Sequence, residues 1–326
     1  MSINIVMYHY VRNNEEYDYD TFCRRKNEFE SQIEFFQKTS SIVNCNDLEK
    51  IKYFLKNDHE TCYLLTFDDG YKDHLYCANY LYEKNINAYF FPPSNVLSGD
   101  ILDVNAIHML IGKKGIDIKK LLQILYELCS SSNYKLSLNN KEIDINSYLE
   151  NFDIQDNYDD RNTLIFKRIL QRDLIGANNR KIIIDILLKK FISKQPSEIS
   201  SELYLNGDDL EKMKKMGMVF GSHGKTHRWL NTLNYFEQKK EIEESFKELR
   251  ENKLISDNEP IAMCYPYGGY DLNTIKIMSN LNVDIGFSTE IGHAKSKVEK
   301  EFIFKLPRWD TNHFWDNKWR RPTGLD

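Results

Sequence analysis

The stretch Leu64-Leu65-Thr66-Phe67-Asp68-Asp69-Gly70-Tyr71 decides the fold of this chain. Its first half is apolar and β-branched, which predicts a strand in the interior of a sheet. Two adjacent carboxylates follow, and like charges raise one another's pKa unless a cation lies close by. Because successive strand residues point to opposite faces, both acids can serve one site only where the strand ends, and Gly70 permits that turn. The pattern indicates either a cation site or an acid pair that caps the next helix.

Strands and helices alternate on both sides of this stretch, which indicates an α/β fold with a parallel sheet or barrel. The charged helix at 235–252 has Glu and Lys at helical spacing, so we expect it to present a solvated outer face. Strands are predicted at 3–8, 41–44, 63–67, 87–91, 218–220, 261–265, 283–287 and 303–306. The intervening helices are predicted at 27–38, 47–56, 72–84, 208–216, 235–252 and 272–281.

The alternation stops between about residues 101 and 204, where the pattern is helical or irregular. A stretch of roughly a hundred residues without strands is too long for a simple loop and should be structured or functional. We predict one domain over 1–326, interrupted by a mainly helical insertion at about 101–204. A separate second domain is the alternative, and the return of the alternating pattern afterwards favours an insertion.

Composition narrows the classes of protein that the chain can belong to. A hydrophobic content of 41% and a charged content of 29% are typical of soluble proteins, and the net charge of -5 does not favour nucleic acid or an anionic membrane as partner. No run approaches the roughly 18 apolar residues of a membrane span. The start, 1–7, lacks the basic region of a signal peptide, and six scattered cysteines favour a reducing compartment. We therefore expect a cytoplasmic location.

His223 and His227 lie four residues apart, directly after a predicted strand. On a helical turn or in a compact loop this spacing brings both imidazoles within reach of one cation. Two histidines and one carboxylate leave open positions for water and substrate, as a catalytic zinc site requires. Structural histidines are the alternative, and the Asp-Asp-Gly sequence at a strand end favours the metal site.

The segments 65–71 (Leu-Thr-Phe-Asp-Asp-Gly-Tyr) and 221–227 (Gly-Ser-His-Gly-Lys-Thr-His) resemble the first two motifs of the polysaccharide deacetylases. These are the NodB-homology proteins of carbohydrate esterase family four, and the resemblance covers about 1–100 and 204–310. It implies a distorted (β/α) barrel with catalytic residues at the C-terminal ends of strands, and a divalent metal, expected to be zinc. It further implies the metal ligands Asp69, His223 and His227, and Asp68 as general base.

The resemblance also shows two departures from the family's motifs. The second motif usually has Ser or Thr after its first histidine, and Gly224 removes this hydroxyl, which can brace the loop. Residues 265–268 (Tyr-Pro-Tyr-Gly) resemble the third motif, which implies that the backbone N–H of Tyr267 helps to hold the oxyanion. The main family form has an arginine two residues before that proline to orient the base, where this chain has Cys264.

A branch that acts on bacterial exopolysaccharides shares Tyr-Pro-Tyr-Gly and keeps its general-acid histidine in an N-terminal Met-Tyr-His segment. The matching segment here ends in His9, which the resemblance implies as the acid, with His293 as the rival. Leu306-Pro307-Arg308 resembles the last strand of that branch. Arg308 is therefore expected to replace the missing arginine beside Asp68.

The function expected from the resemblance is a metal-dependent hydrolase that removes an N-acetyl group from an amino sugar of a bacterial surface polysaccharide, or of its nucleotide- or lipid-linked precursor. Alternatives are an O-acetyl, N-formyl, or other amide or imide substrate on the same fold, and a non-catalytic carbohydrate-binding module. Tyr267, Tyr71 and Trp309 are expected to bind the sugar, although aromatic residues also pack in cores. The insertion and the C-terminal tail, which carries Trp315 and Trp319, are candidate contacts of a homo-oligomer.

Overall fold

The computed structural model describes residues 3–56, 62–154, 159–256, 258–294 and 300–311. Their internal contacts divide them into two compact units. The first contains the described residues up to 13, within 22–100 and from 200 onward, and the second contains those within 14–21 and 101–199.

The secondary structure alternates in the first unit and is mainly helical in the second. The strands are β1 (Ile3–Tyr8), β2 (Ser41–Ile42), β3 (Cys62–Asp68), β4 (Tyr89–Phe91), β5 (Leu136–Leu138), β6 (Lys141–Ile143), β7 (Val219–Phe220), β8 (Ala262–Cys264), β9 (Ile285–Phe287) and β10 (Trp309–Asp310). The helices are α1 (Lys26–Thr39), α2 (Leu48–Lys56), α3 (Asp73–Glu83), α4 (Asp103–Gly112), α5 (Ile118–Ser131), α6 (Ile145–Asn151), α7 (Arg161–Arg168), α8 (Ala177–Phe191), α9 (Pro196–Leu203), α10 (Gly207–Lys215), α11 (Tyr235–Glu251) and α12 (Leu272–Asn280).

The first unit is a distorted (β/α) barrel of parallel strands, which confirms the predicted fold class. β1 pairs with β3, β3 with β4, and β4 with β7. The ring continues through a parallel bridge between Ser222 and Met263 to the β8–β9 pair, and through a second bridge between Phe287 and Leu306 to the segment that ends in β10. Since β10 pairs with β1, the described strands close a ring, and their carboxyl ends meet at one edge.

Buried side chains of the barrel strands alternate between two hydrophobic clusters. One cluster takes Leu65 and Phe67 from β3 together with residues of α1, α3, α10, α11 and α12, so it lies between the strands and the outer helices. The other takes Leu64 and residues of five further strands, with no described residue of those helices, and fills the barrel interior. The period of two therefore directs Thr66 and Asp68 into the interior.

The second unit packs α4 to α8 around its own hydrophobic cluster. The segment 14–21 belongs to this unit. Tyr19 forms an isolated antiparallel β-bridge with Lys113, and the N–H of Asp20 donates to the Gly112 carbonyl at 2.9 Å. The unit also includes the antiparallel hairpin β5–β6, which the helical pattern of the sequence does not indicate. A single domain with an insertion at about 101–204 stays a prediction.

The end of the barrel differs from the predicted strand at 303–306. Residues 300–304 form a 3-10 helix, and the last strand, β10, comes five residues later. The reason is the ring geometry, because Leu306 bridges β9 while Trp309 and Asp310 take the free side of β1. Trp315 and Trp319 lie outside the described residues. Within the described part of the chain, no helix has both the length and the apolar character that crossing a membrane requires.

Candidate active site

Three buried side chains from two strand ends converge at the carboxyl edge of the barrel. Asp69 follows β3, and His223 and His227 lie in the loop after β7. The Nε2 atoms of His223 and His227 lie 3.4 Å and 3.2 Å from Oδ1 of Asp69. The sequence-predicted ligand set is therefore brought together as one cluster.

The donor atoms of this cluster fit a divalent metal. His223 Nδ1 lies 2.9 Å from the Cys264 carbonyl oxygen, so we assign it the proton, which leaves Nε2 free to bind a cation. Oδ1 of Asp69 is buried and accepts no hydrogen bond from the described residues, although buried carboxylate oxygens are normally bonded. The Tyr71 hydroxyl donates to the other oxygen, Oδ2, at 2.6 Å. A cation between Oδ1 and the two imidazoles would supply the missing partner.

The backbone at the site adopts left-handed conformations that side-chain-bearing residues rarely adopt. The φ angles are 76° at Asp69, 58° at His227 and 55° at Tyr267, whereas the other described non-glycine residues with positive φ are five asparagines and one lysine. Such conformations cost about 1–3 kcal/mol each and cluster at functional sites. Gly70, with φ 70°, allows the turn after β3 as predicted, and a Cβ there would lie 2.8 Å from the Pro92 Cβ.

Asp68 and Arg308 form a fully buried bidentate ion pair. Nη1 of Arg308 donates to Oδ1 of Asp68 at 2.9 Å, and Nη2 donates to Oδ2 at 2.7 Å. The Cys264 thiol, which stands where the main family form has arginine, lies 3.3 Å from Oδ2, and Nη2 lies 2.8 Å from its sulfur. The Ser288 carbonyl and the Thr66 hydroxyl accept the remaining Arg308 bonds. The guanidinium thus contacts Asp68 from the residue directly before β10, beside the position where the main family form has its arginine.

The electrostatics keep both carboxylates ionised. Burial raises the pKa of the Asp68 carboxyl, but the charge and hydrogen bonds of Arg308, together with the nearby histidines His223 and His9, outweigh burial and lower this pKa to about 2. Burial likewise opposes ionisation of Asp69, and the two neighbouring histidines hold its pKa well below the usual range. Burial, with Asp69 beside it, raises the pKa of Tyr71, so its hydroxyl remains a donor.

Of the two candidate general acids, only His9 lies beside the Asp68 carboxylate. Its Nε2 is 3.9 Å from Oδ2 of Asp68, and its side chain is 33% exposed. His293 instead places Nδ1 2.7 Å from Oδ1 of Asn4, and its ring packs on Trp309. Asn4 is five residues before His9 along the same strand, which corresponds to roughly 16 Å. His293 therefore lies towards the opposite end of the barrel.

Helix α11 braces the histidine loop. The Ser245 hydroxyl lies 2.8 Å from that of Ser222 and donates to the Gly224 carbonyl at 2.9 Å, while Glu241 accepts from the N–H and the hydroxyl of Thr226. These contacts replace the hydroxyl that Gly224 lacks. The charged composition of α11 predicts a solvated outer face and does not reveal these contacts. The signal was the spacing of Gln238, Glu241 and Ser245, which share one buried face.

Two of the three predicted sugar-binding residues are buried, and the prediction is wrong for both. Tyr71 is fully buried because its ring stacks on Tyr10 at 4.0 Å and its hydroxyl is directed at Asp69. Trp309 is 2% exposed, since β10 closes the barrel there. Tyr267 is half-buried and stacks on the half-buried Trp229 with a centroid distance of 4.7 Å. This pair presents aromatic surface beside His227.

Several solved structures share the fold of this chain. The Streptococcus pyogenes deacetylase PplD, solved in complex with acetate, has a TM-score of 0.55 and 15% sequence identity, with coverage of 95% of this chain and 92% of that chain. IcaB from Ammonifex degensii has a TM-score of 0.54 and 11% identity, with coverage of 94% and 90%. The BpsB deacetylase domain from Bordetella bronchiseptica has a TM-score of 0.52 and 12% identity, with coverage of 95% of each chain. The fold is that of the deacetylase (β/α) barrels.

A second comparison matches part of the chain to a protein family. Residues 187–286 match the family model described as polysaccharide deacetylase, a range that includes His223, His227 and Tyr267. No curated protein sequence matches the chain. The matched range and the fold together support the polysaccharide deacetylase family and a deacetylase hydrolase, as the sequence motifs predict. The family model does not reach Asp68 and Asp69, so only the structure connects them with the histidines.

Proposed function

We propose that this protein removes an N-acetyl group from an amino sugar with the help of a divalent metal, which we expect to be zinc. The observation that carries the proposal is the orphaned oxygen of Asp69 between two imidazoles, with Asp68 and His9 beside it at the same barrel edge. Asp69, His223 and His227 would hold the metal. When bound, the metal would acidify a water molecule and polarise the acetyl carbonyl.

Asp68 would accept the proton of the attacking water. Its ionised state is secured by Arg308, whose two parallel bonds occupy one lone pair on each oxygen and orient the carboxylate. Arg308 acts through Asp68 and is a positioning residue. The backbone N–H of Tyr267 would donate to the developing oxyanion.

His9 would deliver a proton to the departing amine. Amines are poor leaving groups unless they are protonated, and a positioned imidazole can supply that proton near neutral pH. The His9 side chain is 33% exposed, so it can exchange protons with solvent between turnovers.

The substrate proposed is an acetylated sugar of a bacterial surface polysaccharide or its nucleotide- or lipid-linked precursor. The half-buried Trp229–Tyr267 pair offers an apolar ring face to such a sugar. The acetate in the PplD structure is the product that this proposal expects here. A cytoplasmic location, also a proposal, would favour the linked precursor over the exported polymer.

The test measures acetate release by the full chain loaded with zinc. The substrates are acetamido-sugar oligomers, nucleotide-linked acetamido sugars and a finished polymer, with Asp68→Asn as the inactive control. We expect acetate release from at least one small acetylated sugar, and one metal per chain that is lost in His223→Ala. Release of ammonia instead of acetate would favour an amide or imide substrate. Unchanged turnover in Asp68→Asn would refute the mechanism.

A further inference from the structure

His74, on the first turn of α3, contacts the residue proposed as general acid. Its Nε2 lies 2.9 Å from the backbone carbonyl oxygen of His9. The ring is fully buried, with its centroid 5.4 Å from that of Phe67, 5.6 Å from that of Tyr71 and 5.8 Å from that of Phe90. Burial lowers the pKa of His74 to about 4, so the ring is neutral and donates through Nε2.

The free-energy cost of burying the His74 ring indicates that its hydrogen bond to the His9 carbonyl is important. When Nε2 carries the proton, Nδ1 is a bare acceptor, and it has no hydrogen-bond partner among the described residues. A buried acceptor without a partner costs about 1–3 kcal/mol. An apolar side chain of the same size would fill this aromatic cage without that cost. What such a side chain would lose is the bond to His9.

The hydrogen bond between His74 and the His9 carbonyl lies beyond the end of β1, where strand pairing no longer fixes the backbone. The last register pair of β1 with β3 is Tyr8 opposite Phe67, so the His9 carbonyl lies beyond the ladder. The orientation of this peptide group determines the ψ angle of His9. Holding the carbonyl therefore restricts the direction in which the imidazole leaves the backbone.

Residues 10–12, which follow His9, are held by the first turn of α3 and the residues just before it. The Arg12 guanidinium, 1% exposed, donates through Nε to the Asp73 carboxylate at 2.6 Å. Tyr10 stacks on Tyr71, two residues after Asp69. Residues 9–12 are thus fixed to residues 71–74, which are separated from Asp69 only by Gly70.

We propose that His74 is a positioning residue that holds the His9 imidazole beside Asp68 for proton delivery to the leaving amine. The inference rests on the proposed function. It predicts that loss of the His74 bond slows only those reactions in which the leaving group needs a proton. A purely structural role would slow every substrate alike.

The experiment compares two leaving groups in the zinc-loaded full chain. Deacetylation of an acetamido sugar releases an amine, which needs a proton from the acid. Hydrolysis of 4-nitrophenyl acetate releases 4-nitrophenolate, which is stable as an anion and needs no proton. The matched pair is His74→Gln, whose amide nitrogen reaches the position of Nε2, and His74→Asn, whose amide stops near Nδ1. His9→Ala is the reference for complete loss of the acid. His74→Phe, which fills the cage without a donor, is a second variant in case His74→Asn does not fold.

We expect His74→Asn and His74→Phe to lower kcat on the acetamido sugar by about tenfold, less than the 10²–10⁴-fold typical for loss of an acid. KM, zinc content and kcat on 4-nitrophenyl acetate should stay within about twofold of wild type, and His74→Gln should retain most activity. Equal losses on both substrates, or loss of zinc, would overturn the inference. Failure of the wild type to release acetate from any acetylated sugar refutes the proposed function itself. A leaving-group effect in His9→Ala that is absent from the His74 variants refutes only the role of His74.

Discussion

Substitution of Arg308 by methionine should destabilise the protein strongly, because it leaves the buried Asp68 carboxylate without its counter-charge. The pair is 0% and 2% exposed, so solvent does not screen it. The pKa of Asp68, lowered to about 2 from 3.8, corresponds to a net stabilisation of about 2 kcal/mol by linkage. That value already includes the unfavourable desolvation. Without the guanidinium, nothing offsets the desolvation free energy of the Asp68 carboxylate. Breaking a buried pair by removing one partner typically costs about 3–5 kcal/mol.

The assay is urea unfolding of the metal-free chain at pH 7, with Asp68→Asn and the double variant as controls. Arg308→Met should lower the free energy of unfolding by about 3–5 kcal/mol. The double variant should be more stable than Arg308→Met, since it no longer buries an unpaired charge. A loss below about 1 kcal/mol for Arg308→Met, or strictly additive effects in the cycle, would refute the reasoning.

Three further predictions concern the same site. Arg308→Met should raise the pKa of Asp68 from about 2 to above 3.8, so the acid limb of the activity profile should move to higher pH; an unmoved limb would exclude Asp68 as the base. Tyr71→Phe removes the donor to Asp69, and competition with a chromophoric chelator should show metal affinity weakened by about 10–100-fold, as for other lost partners of metal ligands. Ser245→Ala should cost about 1–3 kcal/mol of stability and speed metal release, because two polar groups of the histidine loop lose their partner; Ser245→Thr, which retains the hydroxyl, serves as control.

The parts of the site that the sequence could predict are those encoded in short segments. Asp68 is the last residue of β3 and Asp69 directly follows it, so their position at the strand end depends only on local geometry. The spacing of His223 and His227 likewise fixes their proximity within one loop. The structure brings these residues together, although nothing in the spacing of the sequence links the two loops.

The parts that the sequence could not predict depend on contacts between distant segments. An aromatic side chain can bind a sugar or pack in a core, and the sequence does not distinguish these for Tyr71 and Trp309, which are both buried. Glu241 resembles its exposed neighbours in composition, and only the packing of α11 on the loop distinguishes it. The segment 14–21 has no pattern that assigns it to the second unit.

The position of Arg308 in the ring has a consequence for how the protein matures. The arginine and its carboxylate partner are 240 residues apart, and the arginine directly precedes the strand that seals the barrel against β1. During synthesis, a nascent chain that ends before Arg308 has both an open barrel and an Asp68 carboxylate without its cation. Barrel closure and completion of the Asp68–Arg308 pair therefore both depend on residues 308–310, so a chain truncated before Arg308 should form neither.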